Sequence, residues 1–262
     1  MGAMPSAIPD SVSSVRGLIS ACRLGVRRLF HALMPSACAA CGHALADDPV
    51  PFMCRKCWAA IQPLRGPACP RCGHPFASPV ALQHSPEHLC SACRLRAPAY
   101  TRAWSLYAYE PPLRDAIRLF KYHGKVSLAD AFGALLGQAL PALPECDVMM
   151  SVPLHPTRLR EREFNQSLLL ADRLAQRLRI PVAVGTLIRI RATEPQTELT
   201  RAARRANLRH AFAVPHPEQV TGKRILLVDD VMTTGTTVNE CAKALRRAGS
   251  SHVYVLTLAR TL

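Results

Sequence analysis

One stretch near the carboxyl end constrains the fold more than any other. Ile225-Leu-Leu-Val228 is an uninterrupted apolar run with β-branched residues at both ends, the composition of a strand buried on both faces of a sheet. It runs directly into Asp229 and Asp230. After Val231-Met232 comes Thr233-Thr234-Gly235-Thr236-Thr237, and then Val238–Ala248, whose apolar spacing is helical. Gly235 lets the backbone approach an anion closely, the threonines add hydroxyl donors, and a helix N-terminus presents unpaired N–H groups. The turn is a cradle for a monophosphate. The acidic pair, one step upstream, would accept hydrogen bonds from the hydroxyls of a sugar carrying that phosphate. Carboxylates there would also stabilise positive charge developing at the anomeric carbon. Neither Gly-x-x-x-x-Gly-Lys-Ser/Thr nor Gly-x-Gly-x-x-Gly, the rival phosphate motifs, occurs in the chain. A capped turn without a ligand accounts for the threonines. Two carboxylates at the end of a buried strand favour the ligand over a capped turn alone.

Around this unit the sequence alternates between strands and helices. Trp104–Tyr109 reads as a strand, Pro112–Tyr122 and Val126–Ala139 as helices, and Val148–Val152 as a short strand. Phe164–Leu178 follows as a helix, Pro181–Ile188 as a strand-like run and His252–Leu258 as a last strand. That alternation predicts an α/β fold over residues 99–262, a mostly parallel sheet flanked by helices with ligands at the carboxyl ends of its strands.

The N-terminal part obeys another logic. Residues 1–12 are small and polar and read as disordered. Residues 13–34 carry an apolar stripe of helical period beside Arg16, Arg23, Arg27 and Arg28, an amphipathic helix expected to pack on the remainder of the protein. Residues 35–98 show little periodicity and are rich in Cys, Pro, Gly and His, so metal rather than an apolar core is expected to hold them. Four pairs punctuate this module: Cys38/Cys41, Cys54/Cys57, Cys69/Cys72 and Cys90/Cys93. Each Cys-x-x-Cys places two sulfurs on one tight turn, and two such knuckles complete a tetrahedral zinc site. Four knuckles give two structural zinc sites with no open position for water, hence no catalytic zinc. Pairing in sequence order is preferred over cross-bracing, although both fit the spacing. Redox Cys-x-x-Cys motifs come singly between strand and helix, which disfavours that use. His43, His74, His84 and His88 are read as surface or capping residues, and Cys22, Cys146 and Cys241 as small hydrophobes.

With 33 Lys and Arg against 18 Asp and Glu, the net charge is +15. The excess sits in the first hundred residues and between 155 and 210, which favours anionic partners without choosing among phosphorylated metabolites, nucleic acid and acidic lipid. No run of 18 apolar residues occurs and arginines interrupt the first apolar stretch, so neither a membrane span nor a signal peptide is expected. Knuckle cysteines further suggest a reducing cytoplasm.

The segment Val228-Asp229-Asp230-Val-Met-Thr233-Thr234-Gly235 resembles the phosphoribosyl-diphosphate (PRPP) signature of type I phosphoribosyltransferases. Phe120-Lys121-Tyr122-His-Gly124, Val152-Pro-Leu-His155, Arg158-Leu-Arg160-Glu-Arg162, Phe164-Asn165-Gln166-Ser and Thr257-Leu-Ala-Arg260 resemble the ComF family more narrowly, as do the cysteine knuckles. The chain departs from that pattern at Glu163, where the family usually has Gly, and at Ser151, where Pro is usual. The resemblance implies a phosphoribosyltransferase-like domain in which Thr233, Thr234, Gly235, Thr236 and Thr237 bind the 5-phosphate and Asp229 with Asp230 the ribose. The loop Leu154–Arg158, including His155, would bind diphosphate, with Arg158 its main side-chain contact. Magnesium would be held by diphosphate and ribose oxygens. Segment Arg189–Arg209, with Thr193, Gln196 and Leu199, would be a mobile loop over the site.

The resemblance also implies a role in natural competence, with single-stranded DNA and competence proteins as partners, and a predicted amidophosphoribosyltransferase activity. Glutamine-dependent amination is disfavoured, because that chemistry uses an N-terminal cysteine and this sequence begins Met-Gly-Ala. Two readings stand: a phosphoribosyltransferase acting on an unidentified nitrogen acceptor in nucleotide metabolism, with no general base identified, or a DNA-handling protein that uses PRPP as a ligand.

Overall fold

The computed structural model describes residues 37–192 and 208–262. The segments 1–12 and 13–34, and the part of the Arg189–Arg209 loop holding Thr193, Gln196 and Leu199, lie outside the described residues. In chain order the elements are α1 (Arg55–Ala59), α2 (Val80–His84), α3 (Ser91–Leu95), β1 (Arg102–Ala108), α4 (Leu113–Tyr122), α5 (Leu128–Ala139), β2 (Val148–Ser151), α6 (Pro156–Arg162) and α7 (Gln166–Leu178). They continue with β3 (Ile188–Arg189), β4 (Phe212–Ala213), β5 (Arg224–Met232), α8 (Thr236–Arg247) and β6 (His252–Arg260).

Strands β1, β6, β5 and β2 lie in that order in one sheet, and all three pairings are parallel. The two central strands are apolar on both faces because helices cover both. Leu226 and Val228 of β5 pack with Phe120 and Phe132 of α4 and α5, whereas Ile225 and Leu227 pack with Val238, Cys241 and Leu245 of α8. Each helix turns one stripe inward: Leu113, Ala116, Ile117 and Phe120 on α4, and Leu170, Ala171 and Leu174 on α7. This α/β architecture with its flanking helices is the one the alternation predicts.

The cysteine-rich part clasps the edge strand β1. Leu64 N–H donates to Leu106 O (2.8 Å), and Ala103 N–H donates to Arg71 O (2.9 Å). Unpaired edge groups are thereby satisfied. Gly73 lies so close to β1 that a Cβ there would sit 2.7 Å from Ala103 O, and its φ of +67° also favours glycine. The chain before this crossing packs on the α4–α5 face of the sheet, and the chain after it packs on the α8 face. The expectation that metal alone holds residues 35–98 needs amending. Leu45, Val50, Met53 and Ile61 are buried in the core they share with Phe120 and Phe132, each contributing roughly 1.5–3 kcal/mol by burial.

Two local readings change. Pro181–Ile188 forms no strand: Val182 makes one isolated parallel bridge to Met149, and Gly185 at φ +78° turns the chain away. Only Ile188–Arg189 pairs further on, antiparallel with β4. In addition, Pro156–Arg162 is helical, with Pro156 in its first turn and His155 as its N-cap, so the loop expected over Leu154–Arg158 ends at His155.

Candidate functional site

Strand β5 continues through Asp229 and Asp230 to Met232, so the acidic pair is part of the sheet and lies before, not after, the strand's end. Thr233, Thr234 and Gly235 then turn the chain into α8. Gly235 occupies the left-handed region (φ 72°, ψ 7°) as the N-cap residue, a conformation that glycine adopts without a Cβ penalty. Thr234 Oγ1 and Thr236 Oγ1 lie 2.8 Å apart, and Thr236 N–H points at Thr234 Oγ1 (3.4 Å). A cluster of hydroxyls thus sits at the positive end of a 12-residue helix. Thr237 is the second residue of that helix.

The carboxylates differ sharply in environment although both are buried, at 9% and 3% exposure. Asp229 Oδ1 accepts hydrogen bonds from Ser167 Oγ (2.7 Å) and Asp230 N (2.9 Å). Burial, and then the charge of Asp230, raise its pKa from 3.8 to about 7. Asp230 Oδ1 pairs with Lys121 Nζ at 2.8 Å. Burial of Lys121 works against its charge, but Asp230 outweighs it and holds the ammonium above its ordinary pKa. The second oxygen, Asp230 Oδ2, is buried and has no hydrogen-bond partner. An orphaned carboxylate oxygen costs stability unless a ligand supplies a donor or a cation.

Lys121 and Ser167, members of family-like motifs that carry no role by their residue type, meet the acidic pair in the fold. Asn165 caps α7 by accepting from the Ser167 and Leu168 N–H groups, while its Nδ2 donates to Val152 O (3.1 Å). Phe164-Asn165-Gln166-Ser167 therefore joins three things: the loop leaving β2, the start of α7 and Asp229. Val152 N–H donates to Val228 O, which brings that loop beside the acidic pair. Leu154 lies in this loop, His155 Nδ1 accepts from Thr157 N–H, and Arg158 pairs with Glu161 (2.8 Å) on the exposed face of α6. Arg158 is thus close in sequence to the loop but engaged along its own helix. Glu163, at the C-cap of α6, holds φ 64° and ψ −11°, the left-handed conformation for which the family uses Gly.

The eight knuckle cysteines form two tetrads, Cys38/Cys41/Cys54/Cys57 and Cys69/Cys72/Cys90/Cys93, with the sulfurs of each within 4.8 Å of one another. Thiolates 2.3 Å from a tetrahedral zinc lie about 3.8 Å apart. Cys41 Sγ to Cys54 Sγ is 3.8 Å and Cys72 Sγ to Cys90 Sγ is 3.6 Å. Backbone N–H groups of Cys57 and Cys90 point at the sulfurs of Cys54 and Cys69 (3.4 Å each), the outer-shell support a thiolate site uses. The residues present fit two closed zinc sites. His43 lies on the surface, Cys241 is buried as a small hydrophobe, and Cys146 is half-buried with its thiol toward Pro144 O.

A cleft of about 680 Å³ opens between the second tetrad and the hydroxyl turn, lined by Cys72, Cys90, Cys93, Arg260 and Thr233–Thr236 among others. The acidic pair does not line it. Among the described residues no helix is long and apolar enough to cross a membrane.

An open parallel sheet with an acidic pair and a Thr-Gly turn at its carboxyl end, clasped by two four-cysteine ribbons, defines the class. Residues 165–261 match the phosphoribosyl transferase domain family and residues 29–94 the double zinc ribbon domain family. The chain is 36% identical over 216 residues to the DNA utilization protein YhgH of Salmonella typhi, covering 80% of this chain and 91% of the relative. It is 31% identical to Competence protein F of Haemophilus influenzae (79% and 90% covered) and 28% identical to Competence protein ComFC of Bacillus subtilis (80% and 84%). The chain belongs to the ComF family.

Proposed function

We propose that the chain binds PRPP together with magnesium at the carboxyl end of β5 and acts in the handling of transforming single-stranded DNA. The observation that carries the ligand reading is Asp230 Oδ2, buried and unpartnered three residues upstream of a phosphate-type turn. In this reading Thr233–Thr237 take the 5-phosphate, and Asp229 and Asp230 accept hydrogen bonds from the ribose hydroxyls. The Leu154–Arg158 segment meets the diphosphate, which requires Arg158 to leave Glu161. Magnesium bound with the ligand supplies charge neutralisation for the diphosphate. The chain's own residues position the sugar. Ser167 fixes Asp229, and Lys121 balances Asp230 so that the buried pair is not doubly uncompensated. Each tetrad holds a structural zinc ion.

The DNA part of the proposal is supported by the names of the relatives, a DNA utilization protein and two competence proteins, and by the net charge of +15. Transfer of phosphoribose to a nitrogen acceptor remains the alternative use of the same site. In either case we propose a reducing cytoplasm as its compartment, where eight knuckle thiols stay available to metal.

Titration calorimetry of the zinc-loaded protein with PRPP and magnesium tests the ligand. Binding in the wild type that is lost in the Asp229→Asn/Asp230→Asn variant supports it, whereas a wild type without heat or saturation refutes it. Diphosphate release with candidate acceptors then separates transfer from simple binding.

A further inference from the structure

Arg260 is the last residue of β6 and is only 5% exposed. Its backbone stands in register with Met232, the residue before the phosphate turn, and the next N–H, of Thr261, donates to Met232 O (3.1 Å). Its guanidinium reaches the other way. One terminal nitrogen donates to Cys72 O at 2.9 Å, and the other lies 3.3 Å from His74 Nδ1. As an arginine only donates, that ring nitrogen must be the acceptor. The Nε–H is buried without a partner, and the residue lines the cleft together with Thr233–Thr236.

The group that Arg260 grips is itself built around the second tetrad. Cys69 N–H donates to His74 O and Gly73 N–H to Cys69 O, both at 2.8 Å, closing the knuckle that carries the Cys69 and Cys72 sulfurs. Metal bound to those sulfurs fixes where Cys72 O lies and hence where the guanidinium points. A second link runs in parallel: Ala99 N–H, just beyond the last knuckle, donates to Asn239 Oδ1 (2.7 Å) in the first turn of α8. Among the described residues the first tetrad has no comparable link. Its residues pack toward α4 and α5, and none of them lines the cleft.

We propose that Arg260 is a positioning residue that ties the second cysteine tetrad to the phosphate turn, so that zinc in this tetrad, and not in the first, sets the turn's affinity for its anionic ligand. The inference rests on the phosphate reading above. It explains why a structural ribbon is placed against a ligand turn, and why a buried cation at the end of a strand keeps its Nε–H unpartnered.

Two measurements on the full-length zinc-loaded protein test it. In PRPP–magnesium titrations, Arg260→Gln is expected to weaken binding about tenfold or more while two zinc ions per chain are retained, with Arg260→Lys intermediate. Coupling is reciprocal at equilibrium. Saturating PRPP should therefore reduce, severalfold, the capture of one of the two zinc ions by a competing chelator and leave the other unchanged. If the wild type binds PRPP yet both ions partition identically with and without it, or Arg260→Gln binds like the wild type, the coupling is wrong and the phosphate reading survives. A wild type that does not bind PRPP overturns both. Should Arg260→Gln fail to fold, the zinc partition in the wild type decides alone.

Discussion

Asp229 is held as a buried carboxylate against the interest of the fold, and replacing it should reveal by how much. Its pKa rises from 3.8 to about 7, first through burial and then through Asp230. A carboxyl group with a raised folded pKa stabilises the native state most at low pH, where both states are protonated. That contribution is lost as pH climbs from about 4 to about 7 and stays lost above. At about 1.4 kcal/mol per pH unit, the interval places roughly 4 kcal/mol against folding at pH 8, and between 1 and 2 kcal/mol at pH 5. In Asp229→Asn the amide oxygen can still accept from Ser167 Oγ and Asp230 N–H. Its NH2 group needs new partners, an offset of roughly 1–2 kcal/mol. The variant should therefore be about 2–3 kcal/mol more stable than wild type at pH 8 and nearly equal to it at pH 5. Urea unfolding of both proteins at the two pH values gives the difference directly. A stability difference that does not change between pH 5 and pH 8 would refute the argument. A gain in stability accompanied by loss of PRPP binding is what a carboxylate kept for a ligand should show.

Other perturbations have equally definite outcomes. Lys121→Met leaves Asp230 buried beside a second acid with no counter-charge and should cost roughly 3–5 kcal/mol by urea unfolding at pH 8. Restoring neutrality with Asp230→Asn in the same chain should recover most of that loss. Glu163→Gly relieves a left-handed backbone at φ 64° and should raise stability by about 1 kcal/mol, and a lowered urea midpoint would contradict it. Removing metal with a chelator should lower the thermal midpoint of the whole chain in one calorimetric transition, because Val50, Met53 and Ile61 lie in the main core. A separate low-temperature transition followed by an unchanged main one would mean the ribbons melt alone.

What could be read from the residues followed from periodicity and spacing. The buried strand Ile225–Val228, the turn at Gly235 and the start of α8 were all local, each set by residues a few positions apart, and the cysteine tetrads followed from Cys-x-x-Cys geometry. Partners contributed by distant segments were hidden. Lys121 and Ser167 lie more than sixty positions from the acids they contact, and neither residue type signals such a role by itself. Pro181–Ile188 has the apolar recurrence of a strand. Gly185 and the single edge bridge at Val182 show that pattern without pairing makes no strand. The short helix Pro156–Arg162 was obscured by its polarity, as it buries none of its residues. The sharing of one core between ribbons and sheet could not be inferred from cysteine spacing, since it depends on Leu45, Val50 and Met53 meeting Phe120 and Phe132 across the molecule. Glu163 shows the reverse: a departure from the family's glycine keeps the glycine conformation.

The most direct test of the central claim is the phosphorus NMR spectrum of PRPP with magnesium, recorded with and without the zinc-loaded protein. The 5-phosphate and the diphosphate give separate resonances. If Thr233–Thr237 cradle the 5-phosphate beside Asp229 and Asp230, its resonance should shift or broaden with the wild type and return to its free position with Asp229→Asn/Asp230→Asn. A 5-phosphate resonance that the wild-type protein leaves unchanged would contradict the account.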